Sequence, residues 1–225
     1  MFEKELIERV CNLTWTKEDI ARDITTIKYD PEFPFEKYYS MQTIIAAINK
    51  YLSKEWDDKM LSHWACIYDW IIRGGFYENR KENFNSFETF LVDVISWDLD
   101  GLSFFDEEHE FEGAFELDKR IAFYENFDHI WQTRGQWSCF YALIGELTEE
   151  NGSQYVLIFN DNTKEYMILW CDHIENGYQD ERIHFIENKA FMELVDQIVA
   201  KEYKVLPSAE KYYYEEVEYE KSRMN

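Results

Sequence analysis

The stretch QYVLIFNDNTKEYMILWC, from Gln154 to Cys171, decides how the second half of the chain folds. Aromatic and β-branched residues are concentrated in Gln154–Phe159 and Glu165–Cys171, as is typical of β-strands. Between them the sequence is NDNT (160–163), and asparagine and aspartate favour tight turns because their side chains bond to nearby backbone N–H groups. The stretch therefore predicts an antiparallel β-hairpin.

The sequence on either side of the hairpin extends this prediction. QWSCFYALIGEL (136–147) and RIHFIEN (182–188) are short runs of the same composition and predict further strands. After them, apolar residues recur at helical spacing as far as Val199, which predicts an amphipathic helix ending near Tyr203. The second half is thus expected to be a small antiparallel sheet with a closing helix.

The first half has the three-to-four-residue periodicity of helices. Thr16 and Ser40 are suitable N-caps for two of them, and DPEFPFEKYY (30–39) is expected to be a loop because of its two prolines. A helix over 56–72 is predicted to stop at Gly74-Gly75, and another should run from Ser86 to about Trp97. The fold class is therefore α+β, with residues 1–225 forming a single domain. If the chain is subdivided, the division is expected between 1–130 and 131–225.

The chain is strongly acidic, with 46 Asp and Glu against 23 Lys and Arg, a net charge of −23. Hydrophobic residues make up 46% of the chain, enough to form a core despite this charge. The charge argues against nucleic acid or an anionic membrane as a direct ligand, and it favours a basic protein as partner. The N-terminus predicts an amphipathic helix rather than a signal peptide, and the four cysteines show no CxxC spacing. We therefore expect a cytoplasmic protein with reduced thiols.

The acids are unevenly distributed. The 37 residues from Glu82 to Asp118 contain twelve acids and no lysine or arginine. Phenylalanines alternate with acids in this window, and such a mixture is typical of an interface with apolar anchors and a charged rim. The predicted partner-binding residues are Asp98, Asp100, Phe104, Phe105, Asp106, Glu107, Glu108, Glu110, Phe111 and Glu112.

Three metal sites are alternatives to this interface. Asp98-x-Asp100 begins like a calcium-binding EF-hand loop, but His109 stands where the loop needs glutamate. His63, Cys66, Cys171 and His173 form a zinc ligand set without the usual zinc-module spacing. Asp172 with Glu187 and Lys189 resembles a nuclease metal site, yet the net charge would repel the substrate. No catalytic residue, metal or cofactor is predicted.

The hypothesis that follows is an acidic binding or inhibitor protein that docks on a basic protein surface by mimicking nucleic acid. An immunity protein or antitoxin against a nuclease toxin belongs to this class, as does a phage inhibitor of a defence complex that acts on nucleic acid. One alternative is a carboxylate- or metal-dependent enzyme acting on a small polar or cationic substrate. Another is a structural or assembly subunit.

Overall fold

A computed structural model describes residues 4–20, 35–79, 86–103, 114–144, 153–171 and 180–206. The chain is organised as two compact units. The first, which we call the helical unit, comprises residues 1–84 and 91–117. The second, the sheet unit, comprises residues 85–90 and 118–225. The α+β class is confirmed, whereas the domain boundaries stay a prediction.

The described elements of the helical unit are helices. They are α1 (Lys4–Cys11), α2 (Lys17–Ile20), α3 (Phe35–Tyr38), α4 (Met41–Leu52), α5 (Asp58–Asn79) and most of α6 (Phe87–Ser103). The helical turn α3 lies inside the segment that was expected to be a loop. Ser40 is the N-cap of α4 as predicted, and its side chain accepts a hydrogen bond from the backbone N–H of Thr43.

Helix α5 is the centre of the helical unit, because α1, α2, α3 and α4 all contact it. Trp64 and Tyr68, one turn apart on α5, are fully buried and stacked with ring centroids 4.8 Å apart. The Trp64 indole N–H donates to the carbonyl of Val10 over 2.9 Å, and the Tyr68 hydroxyl donates to that of Tyr38 over 2.7 Å. These bonds satisfy the polar ends of two large aromatic side chains inside the core.

The predicted end of α5 at Gly74-Gly75 is wrong, since the helix continues to Asn79. Both glycines are buried and Phe76, just after them, is 1% exposed. Glycine costs a helix only about 1 kcal/mol relative to alanine, and burial of a phenylalanine outweighs that cost. Helix α6 also runs further than expected, to Ser103 instead of about Trp97.

The sheet unit contains the C-terminal part of α7 (Ala114–Gln132) and a five-stranded sheet with one further helix. The strands are β1 (Ser138–Ile144), β2 (Ser153–Asn160), β3 (Glu165–Cys171), β4 (Ile183–Phe185) and β5 (Lys204–Val205), and α8 is Asn188–Ala200. The hairpin predicted from the opening stretch is β2–β3. Its turn is closed by the Asn160 side chain, which accepts from the backbone N–H of Asn162 and Thr163 at 2.9 and 3.2 Å.

The sheet is mixed rather than purely antiparallel, which corrects the expectation. Its order is β4-β1-β2-β3-β5, with β4 parallel to β1 and β5 parallel to β3. Strands joined by a tight turn must be antiparallel, whereas β4 and β5 pair with β1 and β3, to which no tight turn joins them. The three central strands are antiparallel as predicted.

Both faces of the three central strands are buried. On one face Ala142, Leu157 and Ile168 pack with α8 through Phe191 and Val195. On the other face, residues such as Cys139, Val156, Ile158 and Met167 are equally inaccessible. Burial on both faces explains why these strands show continuous apolar runs in the sequence rather than strict alternation.

A short ionic network holds the beginning of α6 within the sheet unit. Asp180 accepts two hydrogen bonds from the Arg182 guanidinium, at 2.9 and 2.7 Å, and one from the backbone N–H of Phe87 at 3.0 Å. The Arg182 guanidinium also lies 4.6 Å from the centroid of the Phe87 ring. Arg182 is the main cause that lowers the pKa of Asp180 to about 2, so this carboxylate is ionised at all ordinary pH values.

Within the described ranges, no helix has the length and apolar character needed to cross a membrane.

Candidate functional site

Two of the predicted partner-binding residues, Asp98 and Asp100, lie in the helical unit near the C-terminal end of α6. Both are half-buried. They belong to a helix and not to a loop, which also removes the resemblance to an EF-hand calcium loop. The other predicted residues lie outside the described residues: Phe104, Phe105, Asp106, Glu107, Glu108, Glu110, Phe111 and Glu112.

The position of Asp98 and Asp100 is electrostatically unfavourable for the helix itself. The C-terminal end of a helix has a partial negative charge, so cations are preferred there and carboxylates are disfavoured by some tenths of a kcal/mol. The last turn of α6 has no basic residue, and Asp93 adds a third acid one to two turns earlier. The helix dipole therefore does not account for the charge of this segment.

A hydrogen-bonded chain links α6 to α5 beside these acids. The Ser96 hydroxyl on α6 donates a hydrogen bond to the carboxylate of Asp69 on α5. The guanidinium of Arg73, one turn further along α5, donates to the Ser96 oxygen over 2.7 Å and lies 3.3 Å from the Asp69 carboxylate. Asp69 is 6% exposed, so a carboxylate is buried at the junction of the two helices.

The electrostatics of this junction are dominated by negative charge. The pKa of Asp69 is raised to about 6, mainly by burial and in addition by the carboxylates of Asp100 and Asp93, against the opposing effects of Arg73 and Ser96. Burial also raises the pKa of the Cys66 thiol, with Asp69 and Asp100 adding to the effect. One arginine thus lies among three carboxylates.

Two tryptophans flank the same junction. Trp70 is on α5 between Cys66 and Arg73 in helical spacing, and it is 49% exposed. Trp97 is on α6, one turn from both Asp93 and Asp100, and it is half-buried. Among the described residues of the helical unit, Trp70 is the one large apolar side chain classed as exposed.

We call the set Trp70, Asp93, Trp97 and Asp100 the acidic–aromatic face; Asp98, two residues before Asp100, is on another side of α6. It combines large aromatic side chains with carboxylates, and its residues are held on two packed helices rather than on a loop. Elsewhere in the described chain, Phe185, Val199 and Val205 are exposed singly on edge strands and on α8. Isolated apolar residues of that kind are ordinary on protein surfaces.

The acidic window has a buried apolar residue on each side of 104–113. Leu102 near the end of α6 and Leu117 in α7 are both 0% exposed. The window is therefore attached to the core on both sides of 104–113. The role of Phe104, Phe105 and Phe111 as anchors for a partner stays a prediction, because these residues lie outside the described residues.

The zinc and cysteine chemistry considered from the sequence gains no geometric support. In the part of the chain that the structure describes, no three His, Cys, Asp or Glu side chains are grouped as metal ligands. His63 and Cys66 lie on α5, whereas His173 is outside the described residues. Burial raises the pKa of the Cys11 thiol to about 12 and that of Cys139 higher still, so neither is a ready nucleophile.

Sequence reasoning missed Asp69, Trp70 and Trp97 as members of the site. Asp69 and Trp70 belong to α5, about thirty residues before Asp98 and Asp100, and only the packing of α5 on α6 relates them to these acids. A weak signal was present: α5 places Cys66, Trp70 and Arg73 at helical spacing on a face that also has Lys59 and His63. That face is too polar to belong to the core.

Comparison with known proteins gives no matching family model, no similar curated protein and no similar solved structure. Function must therefore be argued from the residues themselves.

Proposed function

We propose that this protein is an acidic binding or inhibitor protein that acts in the cytoplasm by docking on a basic surface of another protein. The partner class is an enzyme or complex that acts on nucleic acid, since such proteins need a basic surface to neutralise phosphates. An immunity protein or antitoxin against a nuclease, or a phage inhibitor of a defence complex, would work in this way. The partner-binding residues are those of the acidic–aromatic face together with Asp98 and 104–112.

One observation carries the proposal: acidic residues are concentrated at the end of α6, where the helix dipole disfavours carboxylates. Asp98 and Asp100 are at the unfavourable end of α6, with Asp93 nearby and no lysine or arginine from Glu82 to Asp118. On α5, the helix that packs on α6 at Asp69, Trp70 is half exposed to solvent. Aromatic anchors give affinity, and a surplus of negative charge gives speed of association and selectivity for a basic partner.

A carboxylate enzyme is the second candidate, and Asp69 is the observation that favours it. Its pKa of about 6 is in the range useful for general acid–base chemistry. However, Ser96 and Arg73 already occupy its carboxylate, and the side chain is buried. A structural role at the helix junction accounts for the same facts, so the docking function is preferred.

The test is affinity purification of the tagged protein from its native host at low salt and again at about 0.5 M, where charge interactions are strongly screened. We expect a basic, nucleic-acid-acting protein to be recovered at low salt and depleted at high salt. The purified partner should then lose its nucleic-acid activity when the acidic protein is added in stoichiometric amount.

Two results would count against docking. Recovery of no partner at either salt concentration would favour the enzyme candidate. Recovery of a partner that is acidic, or that is retained equally at both salt concentrations, would contradict the electrostatic basis of the proposal.

A further inference from the structure

A cavity of about 520 Å³ lies in the helical unit, where α4 ends and α5 begins. None of its lining residues belongs to the acidic–aromatic face. Its lining residues are Lys17, Tyr51, Leu52, Lys54, Glu55, Trp56, Asp57 and Asp58. Its volume is within the range of small-molecule binding sites, roughly 300–1,000 Å³. The proposed docking function makes no use of it.

The apolar wall of the cavity is held in place by packing against the core of the helical unit. Trp56 is 6% exposed, and its ring centroid lies 6.1 Å from that of Trp64, which is itself fully buried and stacked on Tyr68. Tyr51 and Leu52 at the end of α4 complete this wall. The cavity thus offers a preformed aromatic and aliphatic surface to a ligand.

Most charges around the cavity are already paired. Lys17 donates to Asp57 over 2.6 Å, and Asp57 also caps α5 by accepting from the backbone N–H of Met60 over 3.1 Å. Both hydrogen bonds lower the pKa of Asp57, and the bond from Lys17 has the larger effect. Lys50, whose Nζ lies 5.7 Å from the Trp56 ring centroid, pairs with Glu55.

Two lining residues of opposite charge, Lys54 and Asp58, are outside these ion pairs. Among the described residues, neither Lys54 nor Asp58 forms an ion pair, although both line the cavity. Asp58 accepts a hydrogen bond from the Tyr51 hydroxyl, whose pKa is raised to about 12 by burial and by this bond. Tyr51 therefore stays a neutral donor, and Asp58 keeps acceptor capacity towards the cavity.

We infer that this cavity binds a small zwitterion with an aromatic or apolar side chain, that is, a free amino acid or a ligand of that chemistry. The ammonium group pairs with Asp58, the carboxylate pairs with Lys54, and the side chain packs on Trp56, Tyr51 and Leu52. The charges of the lining residues and Lys50 sum to zero, three positive and three negative. A zwitterion matches both unpaired groups without adding net charge to the site.

The probe is L-phenylalanine, compared with 2-phenylethylamine, which lacks the carboxylate, and with 3-phenylpropionate, which lacks the ammonium. Dissociation constants are measured by NMR titration of ¹⁵N-labelled full-length protein up to about 10 mM, because ligands of this size bind in roughly the millimolar range. We expect each analogue to bind at least about tenfold more weakly than phenylalanine, since each loses one charged hydrogen bond.

Variants identify the contacts. Lys54→Gln should weaken the binding of phenylalanine by about tenfold but leave the affinity for phenylethylamine unchanged. Asp58→Asn should weaken the binding of both of these ligands while leaving the affinity for phenylpropionate unchanged. Lys59→Gln is the matched control, since Lys59 is a neighbouring lysine that does not line the cavity. NMR spectra of the free variants show whether each is folded.

The inference is overturned if none of the three probes binds up to about 10 mM. It is also overturned if phenylalanine binds equally well to the wild type and both cavity variants, because the site would then be elsewhere. Neither result bears on the docking proposal, which depends on different residues.

Discussion

Asp69 shows how a single residue sets the electrostatics of the candidate site. Its carboxylate is buried between α5 and α6 beside the guanidinium of Arg73, while Asp93 and Asp100 oppose its ionisation. Ionising a buried acid beside like charges costs free energy, and that cost is the reason for the raised pKa. The polar junction is therefore a source of instability at neutral pH rather than of stability.

The pH dependence of stability follows from the pKa. The pKa of Asp69 rises from 3.8 to about 6 on folding, so the folded state binds the proton more tightly. Asp69 should therefore lower the free energy of unfolding as the pH rises from about 4 to about 6, by on the order of 3 kcal/mol in total. The Asp69→Asn variant should be more stable relative to wild type at pH 7 than at pH 4.5, as measured by urea denaturation.

Other acids change protonation in the same pH range, so the informative quantity is the difference between variant and wild type. Glu193→Gln, which removes one exposed carboxylate from α8, controls for the loss of charge alone. If the free energies of unfolding of Asp69→Asn and wild type differed by the same amount at both pH values, Asp69 would have no raised pKa.

Sequence predicted some of these residue roles and not others. The N-cap role of Ser40 was predictable because a cap depends on residues three positions away. The burial of Asp69 was not, because its environment is made by Ser96, Asp93 and Asp100 from another helix. Local bonds can be inferred from a sequence, whereas a buried charge depends on tertiary packing.

Among the elements, three helices end in the same unusual way. The residues Leu13, Lys54 and Glu202 follow α1, α4 and α8 in left-handed conformation, with φ of 56°, 64° and 57°. After α8, the N–H of Glu202 bonds to the carbonyl of Val199 and that of Tyr203 to Ile198, the pattern of a Schellman motif. Glycine is the residue best suited to this position, and none of the three helices has it.

This geometry gives a stability prediction for α8. Glu202→Gly should raise the free energy of unfolding by roughly 1 kcal/mol relative to Glu202→Ala, because alanine retains the steric cost of a side chain at positive φ. Both variants remove the same carboxylate, so their comparison isolates the backbone effect. Urea denaturation at neutral pH measures it, and an alanine variant as stable as the glycine variant would contradict the assignment of a left-handed cap.

The helix ends also explain where prediction from the sequence failed. α8 ends without a glycine, while α5 continues through Gly74-Gly75 because burial outweighs propensity there. The β2–β3 hairpin was predictable, since its turn and its strands are adjacent in the chain. The parallel edge strands were not, because β4 and β5 pair with strands distant in sequence.

For the whole molecule, charge is the dominant property. A net charge of −23 produces a negative potential that extends about a Debye length, roughly 10 Å at 0.1 M salt, beyond the surface. Such a field accelerates association with a basic partner and repels nucleic acid. It is common to every acidic surface of the chain, so a test of the interface must separate local from overall charge.

The most direct test of the docking account is the association rate constant of the partner recovered by affinity purification, measured with two charge-reversed variants. The first is Glu107→Lys with Glu108→Lys, in the predicted partner-binding segment. The second is Glu193→Lys with Asp196→Lys, exposed residues of α8 that give the same change in net charge. Thermal unfolding confirms that both variants are folded.

The account predicts that at about 50 mM salt the first variant associates at least roughly tenfold more slowly than the second, and that this gap narrows at about 0.5 M. Equal association rate constants for the two variants would contradict it, because the acidic window would then contribute only its share of the overall charge.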